Sequence, residues 1–272
     1  MSALDVSLDH RYWARYLQRA VDDRREVQGI GAQIGELSLP DAYQVQDTLI
    51  AERLFAGDSL AGAKLGLTSK AKQEQMGVDE PAYGWVLASS VLTAPSDGAD
   101  DVTFDVRVDD LIHPRVEPEF VFVIGEELSA PTCTADQVLD ATERVVGGIE
   151  VIDSRYEAFR FTLADAIADN TSAARALIGD AGVAPRDVDL TTVECTFTVD
   201  GDVTGTATGA ALLGSPAECV AMLVRHLAKH DRGLAAGWLV LAGAPLGAEP
   251  LDAGTVATAS YSHFGSVTAR GT

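Results

Sequence analysis

The segment "LIHPRVEPEFVFVIG", Leu111–Gly125, places two glutamates, Glu117 and Glu119, at the mouth of the apolar run Phe120–Ile124. Successive strand residues alternate faces, so Glu117 and Glu119 point the same way. The run after them is apolar at every position, as expected of a strand buried on both faces. One reading is an edge strand with two solvated acids. The other is a pair of carboxylates directed at one buried point, which is costly unless a cation lies between them. A third acid, Glu150, interrupts the apolar stretch "VVGGIEVID". Three carboxylates without a neighbouring histidine or cysteine form a hard oxygen donor set, suited to Mg²⁺, with Mn²⁺ as the alternative, rather than to zinc.

Working outward, the N-terminal region reads as helical. Residues His10–Val27 carry Trp13, Tyr16, Leu17 and Ala20 at helical spacing. A second helix is expected over Ser38–Gly57, with Pro40 in its first turn and Gly57 as its stop. Beyond Gly57 the pattern turns to strands: "LAGAKLGL", "PAYGWVLASSVL", "DVTFDVRV", "PEFVFVIGEEL", "VVGGIEVID", "ARALIG", "VECTFTVDGDVTGTATG", "GWLVLAGAP", "TVATASY" and "GSVTAR". Asp200-Gly201 marks a hairpin. Helices are expected at "TSKAKQEQM" as a single turn, at Thr134–Val145, and at Ser215–Gly233 with Ser215 as cap. Strands do not alternate regularly with helices, which excludes a doubly wound sheet. The expected fold is α+β: a helical region over 1–57, then a largely antiparallel β-rich domain over 58–272 with inserted helices.

Composition narrows the function classes. The 272 residues carry a formal charge of -21, and the pI is near 4.4. Nucleic acid is thereby a poor partner. No run is long and apolar enough for a membrane helix, and no apolar signal core opens the chain. Three scattered cysteines, Cys133, Cys195 and Cys219, suit a reducing cytoplasm. Of four lysines, Lys64, Lys70 and Lys72 cluster in "GAKLGLTSKAKQEQMGVDEP". Lys64 lies within an otherwise apolar strand, so it either meets an anion or snorkels to the surface. Asp79 belongs to a turn-rich stretch and, taken alone, reads as turn chemistry. In "VIDSRYEAFRFTLADAIADNTSAAR", Asp153 and Arg155 are candidates to pair with each other. Asn170 and Ser172 there suit either a turn or a pocket wall. No GxSxG elbow, HExxH, GxGxxG after a strand, or Walker motif is present.

These residues together resemble the hydratase/decarboxylase branch of the fumarylacetoacetate hydrolase superfamily. The resemblance runs from "DAYQVQ" to "GSVTAR". It rests on "KLGLTSKAKQEQMGVDEPAYG", "LIHPRVEPEF", "EVIDSRYEAFRF", "ADNTSAARALIG" and "GAALLGSP". It implies that Glu117, Glu119 and Glu150 bind Mg²⁺, that Lys64 is the active-site lysine, and that Asp79 is an acid beside the pocket. It places Asn170 and Ser172 beside the substrate, and Arg155 or Arg160 is the candidate for a distal carboxylate. The implied activity is decarboxylation of 2-oxohex-3-enedioate to 2-hydroxypenta-2,4-dienoate and CO₂, through a dienolate whose charge the metal receives. The alternatives are hydration of 2-hydroxypenta-2,4-dienoate and, in another class, a non-catalytic subunit or 2-oxo acid binder. "LIHP", "SRYEAFRF" and "SVTAR" favour the decarboxylase. A homo-oligomer and a complex with a paralogous hydratase are the implied assemblies. Ser262, His263 and Phe264 depart from the family pattern, as does "LAGAPLGAEPLDAG", and both departures are expected to reshape the pocket.

Overall fold

The structure, a computed structural model, describes residues 8–68, 81–94 and 99–272. Its N-terminal helices are α1 (His10–Asp23), α2 (Ile30–Ile34) and α3 (Leu39–Phe55). Helix α1 stops short of the expected Val27 because Arg24 turns left-handed at φ 49° and closes it. Val27 instead donates its N–H to the Arg155 carbonyl at 2.9 Å. Helix α3 begins where Ser38 Oγ accepts the Asp41 N–H, with Pro40 in its first turn. Trp13, Leu17, Val45 and Leu49 bury one face of these helices against α5 (Leu163–Ala168) and Tyr156.

Among the described residues the strands form two sheets. The larger contains β1 (Leu60–Gly66), β2 (Ala82–Leu87), β3 (Val91–Thr93), β5 (Arg115–Ile124), β6 (Thr142–Ile152), β7 (Ala173–Val183), β10 (Leu239–Leu241) and β11 (Glu249–Pro250). Its order is β2-β1-β10-β5-β6-β7-β3, with β11 beside β5. The smaller contains β4 (Asp101–Val106), β8 (Glu194–Val199), β9 (Asp202–Thr208), β12 (Val256–Tyr261) and β13 (Gly265–Gly271), ordered β4-β13-β12-β8-β9. Most pairings are antiparallel, whereas β1–β10, β13–β4 and β3–β7 are parallel. The expected hairpin joins β8 and β9 at Asp200-Gly201, both at positive φ.

The two sheets approach closely because glycines line the seam. A Cβ on Gly147 of β6 would stand 2.5 Å from the Tyr261 ring, and one on Gly179 of β7 would stand 3.0 Å from Val267. Helix α4 (Ala135–Ala141) is shorter than expected. The β-branched Thr142, Val145 and Val146 take strand geometry in β6 instead, where packing outweighs the helical pattern. Helix α6 (Pro216–Ala228) starts at Ser215, but that side chain makes no capping bond; Pro216 supplies the helical first turn. No described helix is long and apolar enough to cross a membrane. The expected helical turn in "TSKAKQEQM" falls on residues outside those described.

Candidate active site

Strands β5 and β6 pair antiparallel with Glu117 directly opposite Glu150 and Glu119 opposite Gly148. Period-two alternation then puts all three carboxylates on one face. Their ligand-capable oxygens lie within 4.8 Å of one another. Glu119 and Glu150 are 1% and 2% exposed, which removes the solvated-edge reading. Burial, then Glu150 and Glu117, raises the Glu119 carboxyl well above the ordinary range; Lys64 and the Gly243 N–H only partly counter this.

Lys64 enters from β1, two strands away, and is 2% exposed. Its Nζ lies 2.5 Å from Glu150 Oε1 and donates to the Thr171 carbonyl at 2.9 Å. It is therefore a buried, paired ammonium and not a snorkelling one. Thr171 reaches it through an unusual turn: Asn170, Thr171 and Ser172 have φ of 49°, 51° and 60°. Three consecutive non-glycine residues in the left-handed region carry strain that the surroundings must hold. Gly84, opposite Lys64 in β2, makes room, since a Cβ there would stand 2.4 Å from Thr171 Oγ1. Gly243 (φ 118°) likewise allows a close approach to Thr68 and donates its N–H to Glu119 Oε2 at 2.7 Å.

These groups open on a cleft of about 350 Å³ lined by Lys64, Thr68, Arg115, Glu117, Thr171 and Ser172, with apolar walls from Phe159, Phe161 and Leu163. Other residues expected at the site sit differently. Asn170 spends its amide on β2, accepting from the Trp85 N–H at 2.8 Å and donating to the Trp85 carbonyl at 2.9 Å. Arg155 does not pair with Asp153. Its guanidinium binds the Asp169 carboxylate and donates to the carbonyls of Asp153, Asp169 and Ala173. It lines a different cavity, beside α1 and α3. Asp153 instead accepts the N–H groups of Ile112 and His113, anchoring the loop before β5. Asp79 lies outside the described residues. Ser262 and His263 are exposed and Phe264 packs on Phe120, so this departure does not reach the cleft; Ala244 and Ala248 of the other one do. Arg115 and Thr171 line the cleft without being expected there, although Arg115 lies in the same stretch as the glutamates and shares their alternation.

A profile of the fumarylacetoacetate (FAA) hydrolase C-terminal family matches residues 60–270. The chain belongs to that family. Among family members, 4-oxalocrotonate decarboxylase of Pseudomonas sp. (strain CF600) is 36% identical over 257 residues, 94% of each chain. A 2-hydroxypent-2,4-dienoate hydratase of Pseudomonas putida is 36% identical over 211 residues, covering 78% of this chain and 92% of that one. The solved 4-oxalocrotonate decarboxylase from Pseudomonas putida G7, complexed with magnesium and adipate, superposes with a TM-score of 0.90 over 97% of each chain at 33% identity.

Within this family fold the acid cluster fits a divalent cation on its own terms. Glu119 Oε1 is buried and has no hydrogen-bond partner among the described residues. A bare carboxylate oxygen beside two more carboxylates is costly to bury. A hard, oxygen-preferring dication satisfies that oxygen and reverses the repulsion.

Proposed function

We propose that the protein is a Mg²⁺-dependent lyase that decarboxylates 2-oxohex-3-enedioate to 2-hydroxypenta-2,4-dienoate and CO₂. The carrying observation is the buried cluster of Glu117, Glu119 and Glu150 beside Lys64, with its orphaned Glu119 oxygen. The 36% and 34% identity of decarboxylase relatives over 94% of both chains, against 32% for a 2-oxo-hept-4-ene-1,7-dioate hydratase over 96% of this chain, supports decarboxylation ahead of hydration. The three glutamates would hold the metal, which when bound supplies Lewis-acid stabilisation of charge developing on the 2-oxo oxygen. The protein's own groups do the rest. Lys64 has three N–H donors, and Glu150 and Thr171 occupy two. The third is available to the cleft, to offset substrate charge or to hand a proton from Nζ to the reacting chain. Ser172 Oγ borders the same cleft while hydrogen-bonded to Asp169 at 3.3 Å, which fixes its position for a substrate oxygen. Phe159, Phe161 and Leu163 limit the water that reaches the reacting chain.

Asp79 keeps the role of an acid that places water in the hydration alternative. Asn170 and Arg155 act through the backbone they hold rather than on substrate. Assembly into homo-oligomers, contact with a paralogous hydratase and a cytoplasmic setting belong to the same proposal. The three unbridged, buried cysteines support the reducing compartment.

The test is ultraviolet assay of the purified protein on 2-oxohex-3-enedioate and on 2-hydroxypenta-2,4-dienoate, with and without Mg²⁺, while CO₂ is measured. Chelator-sensitive CO₂ release is expected. Turnover that survives exhaustive chelation sinks the metal assignment. Water addition to the dienoate with no CO₂ from the dicarboxylate replaces decarboxylase by hydratase. Metal binding by calorimetry without turnover of either substrate leaves only a binding subunit.

A further inference from the structure

Arg115 stands on β5 two residues before Glu117 and four before Glu119, so all three share a face. It is half-buried and lines the same cleft as Lys64, Glu117 and Ser172. Its guanidinium carbon lies 4.5 Å from the centre of the Phe159 ring. That ring is itself held, 4.6 Å from the His113 imidazole, whose nitrogens meet Glu26 Oε1 at 2.5 Å and the Ser154 carbonyl at 2.6 Å. The guanidinium is thus held over the ring, a contact that supplies no acceptor oxygen and leaves its N–H groups for one.

Among the described residues no such acceptor is supplied from within. The chain holds 41 acidic residues against 20 Lys and Arg, yet among the described residues no carboxylate lies within ion-pair distance of Arg115. Arg19, Arg25 and Arg160 share that lack but are exposed to water, and the half-buried Arg175 lines another cavity and donates to the Ala174 carbonyl. A half-buried, pre-oriented, unpaired guanidinium at a cleft wall suits an external carboxylate, which it binds through two parallel hydrogen bonds. Two residues of strand separate it from Glu117, about 7 Å, comparable to an extended six-carbon chain.

We propose that Arg115 is the specificity residue for the second carboxylate of a dicarboxylate 2-oxo acid. This rests on the 2-oxo acid reading above. The contact selects substrate and does not accelerate loss of CO₂, because it is made in the ground state. It also vanishes with the departing carboxylate, so the monocarboxylate product is held less tightly than the substrate.

The test compares 2-oxohexanedioate with 2-oxohexanoate, alike at the 2-oxo acid end and lacking the conjugated alkene, by calorimetry on the Mg²⁺-loaded full chain. The parent protein binds the dicarboxylate about tenfold tighter or more, the size of one charge-assisted contact. Arg115→Gln removes that preference, leaves 2-oxohexanoate affinity unchanged, and raises KM for the dicarboxylate without lowering kcat. Arg115→Lys keeps part of the preference. Equal binding of both ligands by the parent overturns the assignment without any variant. So does an Arg115→Gln protein that still discriminates, or one that loses both ligands equally. A parent that prefers the dicarboxylate yet releases no CO₂ from 2-oxohex-3-enedioate sinks decarboxylation and leaves Arg115 standing. CO₂ release with no preference does the reverse.

Discussion

Two buried clusters of charge lie close together in this fold, and they are built on opposite principles. Around Asp169, every charge is answered. Its carboxylate meets the Arg155 guanidinium and backbone N–H and the Ser172 hydroxyl, and the remaining Arg155 donors find carbonyl oxygens. Around Glu119, three carboxylates converge on one ammonium, and an oxygen is left without a partner among the described residues. Both clusters are built from buried acids and a buried cation, yet only the unbalanced one asks for something from outside. A satisfied buried network specifies structure, whereas an unsatisfied one marks a ligand site.

The sharpest way to break this contrast is Glu119→Gln. The amide keeps the size and can still accept from Gly243 N–H, but it removes a ligand charge. Metal affinity should fall by more than the roughly 10- to 100-fold that an outer partner costs. Metal-free stability should be unchanged or higher, since buried like charges are relieved. A clear loss of metal-free stability, read by urea unfolding, would show the cluster to be structural after all. Arg155→Met is the counterpart. It strands Asp169 as an unpaired buried acid and should cost about 3–5 kcal/mol in the same unfolding experiment, with Arg155→Met/Asp169→Asn recovering part. A cost under about 1 kcal/mol would place this pair with surface ion pairs and erase the comparison.

Smaller effects sharpen it. Tyr261 reaches from the second sheet, and its hydroxyl lies 2.8 Å from the Glu119 carbonyl and 2.9 Å from the Gly148 carbonyl, pinning β5 to β6 at the acid cluster. Tyr261→Phe should cost about 1 kcal/mol and weaken metal binding modestly; unchanged metal affinity would confine Tyr261 to packing. Last, burial pushes the Cys195 and Cys219 thiols up to about 12 and Cys133 also upward. At pH 8 a thiol reagent should label the folded protein far more slowly than the urea-unfolded one. Equal rates would contradict the packing of these residues.

The acid cluster is legible in the sequence because strand periodicity is local. Glu117 and Glu119 share a face by their spacing alone, and Glu150 announced itself as an acid in an apolar strand. Lys64 was legible for the same reason. Arg155 and Asn170 misled, because a buried polar residue looks alike in sequence whether it meets a ligand or the backbone of a distant strand. Asn170 binds Trp85, 85 positions away, and no periodicity encodes that. Helix α4 ends earlier than its apolar spacing predicts, because that spacing cannot tell a helical turn from the start of a buried strand.

Alone, the amino-acid sequence determined the α+β class, the face that three glutamates share, the lysine suited to meet them, and a family pattern spanning most of the chain. These follow from covalent spacing and side-chain chemistry. Only the tertiary structure decided that Glu150 lies opposite Glu117 and that Lys64 crosses two strands to reach it. It also decided that Arg155 is spent inside the fold while Arg115 stands at the cleft. Partnership between charges depends on strand order and register, which long-range packing sets and local sequence does not.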